Sequence, residues 1–209
     1  MTEEQKETIR FYTTNDYLLI NGLLWNEDRD ILLKKIKIIN EDGRGVMQEA
    51  IEQGFDKRWN CSLTEGKQIY QMYEKRFPPL DSEKVIEEII NRAKQDIKVL
   101  YSCLKPLDED LFLYRNIRTK YIKDYKQGDI IDYRGFSSCS LESHEAENAM
   151  YGSSGCSLIK IEAPRGTLAI RLDQEKDLAN EPDEVILPPM KFIVDKATEG
   201  IIHLKPIIE

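Results

Sequence analysis

The sequence predicts an α+β fold, on three observations. Through the first hundred residues, apolar side chains recur at spacings of three and four, the period of an amphipathic helix. From Leu111 onward the pattern changes to short apolar runs separated by turn residues. Helices come first and strands later, without the alternation that a doubly wound parallel sheet requires.

The elements follow in order. Thr8 to Trp25 carries Ile9, Tyr12, Tyr17, Ile20, Leu23 and Leu24 with a break near Thr13 and Thr14, where Thr14 or Asn15 could cap a second helix. Ile31–Ile39 fits helix or strand, and Asp42-Gly43-Arg44-Gly45 reads as a turn. A helix is expected from Ser62 to Phe77, stopped by Pro78-Pro79. The clearest helix runs from Ser82 to Leu104, with Val85, Ile86, Ile89, Ile90, Ala93, Ile97 and Leu100 on one face. Asp81 or Ser82 caps it, and Pro106 keeps the chain from continuing. Strands are expected at Leu111–Ile117, Ile130–Tyr133, 157–161, 167–170, 185–187, 190–195 and 200–208. Gly128-Asp129 and Pro164-Arg165-Gly166 mark turns, and Ser143 opens a short helix.

Size and charge bound the function. The 209 residues are expected to form a single domain, with residues 1–80 mainly helical and 81–209 holding the motifs. Thirty basic against 38 acidic residues leave a net charge of −8, which argues against non-specific nucleic-acid binding. No run approaches the roughly 20 apolar residues that span a bilayer. The opening MTEEQKETIRFY is too polar and acidic for a signal peptide, so any delivery into another cell would take a non-classical route or phage expression. Cys61, Cys103, Cys139 and Cys156 are widely spaced, and the histidines are His144 and His203 alone. A Cys/His metal site and a disulfide framework are therefore not expected, and the protein is expected to act in a reducing cytosol.

Three places in the strand-rich half carry chemistry. Arg115 interrupts an otherwise apolar strand. Ser138-Cys139-Ser140 follows Gly135-Phe136. Glu184 stands immediately before Val185-Ile186-Leu187-Pro188. In this order they resemble the Arg, Ser-Thr-Ser, Glu-x-Glu signature of the toxin-type mono-ADP-ribosyltransferases, the group of bacterial exoenzymes, binary-toxin enzymes and phage transferases. Leu113-Tyr114-Arg115-Asn116 resembles the family's Tyr-Arg-Gly strand. Gly128-Asp129 with Gly135 to Ser140 resembles its Gly-Asp … Gly-Phe-x-Ser-Thr-Ser segment. Residues 161–167 resemble its Pro-x-Gly-Thr turn, and Glu184 to Pro188 resembles the catalytic glutamate with its Val-Leu-Leu-Pro tail. The matching covers about residues 85–195, with a weaker echo at 9–24.

The resemblance implies two small packed β-sheets with flanking helices, and NAD as co-substrate in a cleft without a metal. Breaking the nicotinamide–ribose bond builds positive charge at the anomeric carbon. A preorganised carboxylate stabilises that charge and holds the ribose 2′-hydroxyl, which the resemblance assigns to Glu184. A guanidinium suits the diphosphate through paired charge-assisted bonds, which is implied for Arg115. Ser138 would orient the carboxylate and Ser140 support it; Asn116 would present backbone groups to the nicotinamide amide. Tyr151, after the short helix, stands where the family places an aromatic near nicotinamide. Arg134, in Tyr133-Arg134-Gly135, is a rival to Arg115 but abuts the serines, whereas the family's arginine lies on an earlier strand.

Two positions depart from the family pattern. Cys139 replaces the threonine; a buried small residue is expected there rather than a reactive thiol. Pro182 stands where the family has a Glu or Gln that engages the acceptor, so Glu181 or Asp183 would have to reach it from another backbone position. The expected activity is transfer of ADP-ribose to a macromolecule, most readily a protein side chain, as a toxin or effector. NAD hydrolysis at the same site and a degenerate binding module remain as alternatives.

Overall fold

The structure, a computed structural model, describes every residue except 123, 149–154, 175–183, 199 and 208–209. The chain divides into two compact units, Glu7–Lys98 and Val99–Glu209 with Met1–Lys6. The helical part runs α1 (Glu3–Phe11), a π-helical turn (Tyr12–Asp16), α2 (Tyr17–Leu24), α3 (Arg29–Gln53), α4 (Phe55–Trp59), α5 (Leu63–Arg76) and α6 (Glu83–Cys103). The strand part runs β1 (Lys105–Pro106), β2 (Leu111–Arg118), β3 (Ile130–Tyr133), β4 (Ser137–Ser140), α7 (Ser143–Asn148), β5 (Cys156–Ala163), β6 (Leu168–Arg171), β7 (Glu184–Leu187), β8 (Met190–Thr198) and β9 (Ile201–Pro206). Helices precede a mixed sheet, as the periodicities predict.

The break at Thr13–Thr14 is a π turn rather than a capped gap. The Thr13 hydroxyl donates back to the Arg10 carbonyl and that of Thr14 to Phe11, so these side chains bond within the helix rather than cap a new one. The expected turn at Asp42–Gly45 is also corrected: α3 runs through it. Gly43 is buried because Phe77 lies against it, and a Cβ there would meet the Phe77 ring at 2.3 Å. Its lack of a side chain serves close approach, not a turn. α3 ends instead at Gly54, whose φ of 99° suits glycine. α5 starts on a capping box, with the Ser62 hydroxyl accepting from the Glu65 amide and the Glu65 carboxylate accepting from the Ser62 amide. Within the helical unit, Arg76 bonds both Asp16 and Asp96, and all three are buried. Burial alone would lower the Arg76 pKa, but the two carboxylates outweigh it and hold the guanidinium charged.

The strands join in the order β1-β6-β7-β4-β2-β5-β9-β8-β3. All described ladders are antiparallel except β5–β9. The joint between β4 and β2 is one paired position, Tyr114↔Ser140, whereas β2 and β5 pair along all of Leu111–Arg118. Two halves therefore meet at a minimal seam, which reconciles the two expected sheets with one hydrogen-bonded series. The series cannot be flat. β4 and β3 stand five steps apart in it, ~24 Å at ~4.8 Å per strand. Only Arg134, Gly135 and Phe136 link Tyr133 to Ser137, a reach of at most ~14 Å. The sheet must curl, and it does so around one apolar cluster that includes Leu113, Cys139, Ile161, Val185, Leu187, Phe192 and Leu204.

Candidate active site

Strand alternation sets which side chains share a face. On β2, Leu113 is fully buried in the core cluster, so Arg115 two residues on starts from the same face, at its half-buried margin. Tyr114 and Asn116 take the other face. On β4, Ser137 and Cys139 are buried while Ser138 and Ser140 are half-buried. On β7 all four residues are buried, Glu184 at 7 % exposure.

Register then brings the predicted residues together. Ser140 lies directly opposite Glu184 on β7 and opposite Tyr114 on β2, forming a row of three across neighbouring strands. Opposed side chains have Cβ atoms ~4.5–5.5 Å apart, and diagonal ones ~7–8 Å. Ser138 faces Ile186 and is thus diagonal to Glu184 on the same face. The sequence put Ser138 foremost; the ladder gives Ser140 the nearer position. The Ser140 hydroxyl also accepts from the Glu142 amide at 3.0 Å, which leaves its proton to donate elsewhere. The backbone of Glu184 is fixed by the Leu172 amide donating to its carbonyl at 3.0 Å.

Arg115 reaches the same strands from the core side. Its Nη1 donates to the Ser138 carbonyl at 3.4 Å, and its guanidinium carbon lies 5.4 Å from the Tyr133 ring centroid. Cys139 sits in the field of both charged groups. Burial pushes its thiol up to about 12, Arg115 opposes the shift and Glu184 adds to it. At 3 % exposure it is a small core residue rather than a nucleophile. Arg134 is exposed and bonds Asp132 at 3.0 Å. His144 is exposed near Glu142 and Glu145, and His203 lies in β9.

Tyr151, Glu181, Pro182 and Asp183 lie outside the described residues, so their places in the site are not part of this geometry. No local sequence signal points to the Tyr133 contact with Arg115. β3 and β2 are four steps apart in the strand series, and only the curl of the sheet brings them together. A shallow cavity of ≈ 330 Å³, lined by Leu111, Phe112, Glu162, Pro164, Lys205 and Pro206 among others, lies at the opposite end of β2. It belongs to different residues from those above.

Among the described residues, no group of three or more His, Cys, Asp or Glu could hold a metal ion, and no helix is long and apolar enough to cross a membrane. All four cysteines are free thiols.

The strand unit is a curled mixed sheet that carries Arg115, Ser138, Ser140 and Glu184 on the neighbouring strands β2, β4 and β7. The chain belongs to the ADP-ribosyltransferase exoenzyme family, whose model matches residues 1–205. It is similar to the Vis toxin, an ADP-ribosyltransferase from Vibrio splendidus, at 14% identity and TM-score 0.55, covering 100% of this chain and 75% of that one. It is similar also to the catalytic domain of VahC from Aeromonas hydrophila, at 16% identity and TM-score 0.50, covering 99% of this chain and all of that one. At these identities the solved structures establish the fold, and the family match establishes the class. No curated protein matches the chain. The protein is thus a toxin-type ADP-ribosyltransferase, an enzyme of a family that takes NAD as co-substrate.

Proposed function

We propose that the enzyme transfers ADP-ribose from NAD to a protein side chain through Glu184, Ser138, Ser140 and Arg115. The observation that carries this reading is the row Tyr114–Ser140–Glu184, with the Arg115 guanidinium at the Ser138 carbonyl beside it. A cation on β2 and a carboxylate on β7, with the β4 serines between them, suit the two ends of one task. Arg115 binds the diphosphate through planar charge-assisted bonds. Glu184 stabilises positive charge at the anomeric carbon and holds the 2′-hydroxyl. The Ser140 and Ser138 hydroxyls orient the Glu184 carboxylate. Tyr151 is proposed to pack near the nicotinamide.

The acceptor is a protein side chain bearing a nucleophilic nitrogen. Vis, with the same fold, is solved in complex with agmatine, a guanidine-bearing amine, so arginine is the first acceptor to test here. Pro182 favours a second reading. It cannot hydrogen-bond an acceptor through its side chain, so Glu181 or Asp183 must do so, and without them water becomes the acceptor and the reaction is NAD hydrolysis.

Labelled NAD, a cell lysate and, separately, agmatine distinguish the two. Transfer predicts label on a discrete protein or on agmatine with wild type and none with Glu184→Gln. Loss of NAD with every count recovered as free ADP-ribose would replace transfer by hydrolysis. No loss of NAD with wild type in any lysate would leave the fold with a degenerate site.

A further inference from the structure

We infer that Tyr133 is a positioning residue for Arg115, holding the guanidinium over its ring so that the N–H groups meet the diphosphate. The inference rests on the proposed role of Arg115 and adds a residue to it.

The geometry comes from one short segment. On β3, Ile130 and Asp132 are exposed, while Ile131 and Tyr133 turn inward and pack against the core cluster. Tyr133 is anchored opposite Met190 on β8. Five residues later, on β4, the Ser138 carbonyl accepts from Arg115 Nη1 at 3.4 Å. The Tyr133 ring lies 5.4 Å from the guanidinium carbon, inside the ~6 Å range of a cation–π contact. Residues 133–138 thus contact the guanidinium twice, once through the Tyr133 ring and once through the Ser138 carbonyl.

The two contacts differ in what they consume. A guanidinium has five N–H donors in one plane. The carbonyl takes a donor; the ring takes none, because it attracts the cation through its quadrupole. The ring therefore restricts the Arg115 rotamer without competing with phosphate oxygens for N–H groups. Restricting a long side chain before binding removes part of the ordering cost that NAD would otherwise meet. The aromatic ring is what this role needs; the phenol hydroxyl is not.

The test uses the full chain and two probes, NAD and ADP-ribose, the second of which keeps the diphosphate and lacks nicotinamide. Tyr133→Leu is expected to raise the Kd of both by about tenfold, the order of a half-desolvated cation–π contact. The KM for NAD rises in parallel while kcat stays within about threefold, since the contact is the same in ground and transition states. Tyr133→Phe restores the affinity lost in Tyr133→Leu. Pentafluorophenylalanine at 133 keeps the ring's shape but inverts its quadrupole, and is expected to bind as weakly as Tyr133→Leu with an unchanged thermal midpoint. In an Arg115→Ala background, Tyr133→Leu should cost nothing further. Full binding by the fluorinated protein, or an undiminished loss in the Arg115→Ala background, overturns the inference. Normal ADP-ribose binding by Arg115→Ala alone instead overturns the diphosphate role itself, which separates the two failures.

Discussion

Glu184 is a carboxylate in a strand whose four described residues are all buried. Burying a carboxylate costs stability unless it is paired or hydrogen-bonded, and the proposed function places this one beside the ribose. Replacing it by glutamine keeps the shape and removes the charge. Glu184→Gln is expected to lower NAD turnover by at least about a hundredfold, the scale of one lost preorganised electrostatic group, with the Kd for NAD little changed. A variant within tenfold of wild type would remove Glu184 from the chemistry. Cys139, its neighbour across the ladder from Val185, behaves oppositely. Its folded thiol is pushed up to about 12 by burial, against an ordinary value of 9.0. The folded state thus keeps a proton that the unfolded chain releases above about pH 9. The stability this contributes is complete below pH 9 and is lost as pH rises toward about 12. In urea melts, wild type should lose stability relative to Cys139→Ala between pH 9 and 10.5, a comparison in which lysine and tyrosine titration cancels. Parallel pH profiles would mean that the thiol ionises in the folded protein.

At the scale of elements, the two glycines of Asp42-Gly43-Arg44-Gly45 make opposite predictions. Both lie inside α3, where glycine is about 1 kcal/mol worse than alanine. Gly45 is exposed with nothing within 4 Å of an added Cβ, so Gly45→Ala should stabilise by about 0.5–1 kcal/mol. A Cβ added at Gly43 would collide with the Phe77 ring, and Phe77 is itself buried against Phe11 and Tyr73, with ring centroids at 5.8 and 5.6 Å. Gly43→Ala should therefore destabilise by about 1–3 kcal/mol through overpacking. Chemical denaturation of both variants checks the pair; a destabilising Gly45→Ala would restore the turn that the sequence suggests. The same residues show why the sequence suggests a turn where α3 continues. A glycine pair signals a turn in any local reading, and only the position of Phe77, more than thirty residues away, explains Gly43. Elements whose signals are local were legible: the period of α6, the Ser62 cap of α5, and the alternation along β2 and β5. The π turn at Tyr12–Asp16 was visible only as an interruption, because its Thr hydroxyls serve a cap or a back-bond equally well.

At the scale of the molecule, the order of motifs was legible and their facing was not. Arg115, Ser138, Ser140 and Glu184 could be singled out from their sequence neighbours, but which serine opposes the carboxylate depends on ladder register. That Tyr133 meets Arg115 depends on the curl of the nine-strand series. The proposed site is thus a property of sheet closure, and a ligand that bridges it should be felt by the stability of the folded chain. Glu184→Gln allows this to be measured without consuming NAD. With NAD at about a hundred times its Kd, mass action adds about 2.7 kcal/mol to the folded state. For a chain of 209 residues, ~1 kcal/mol moves the thermal midpoint by ~2–4 °C, so the expected rise is about 5–11 °C. ADP-ribose at the same multiple of its own Kd should give a rise of the same order, because mass action depends only on occupancy. At these same fixed concentrations, Arg115→Ala should show a clearly smaller rise with either ligand, since the lost phosphate contact lowers occupancy. Equal shifts in Arg115→Ala and Glu184→Gln would place the diphosphate away from β2 and leave the Arg115 guanidinium, with its Tyr133 ring and Ser138 carbonyl, as a support of the sheet seam alone.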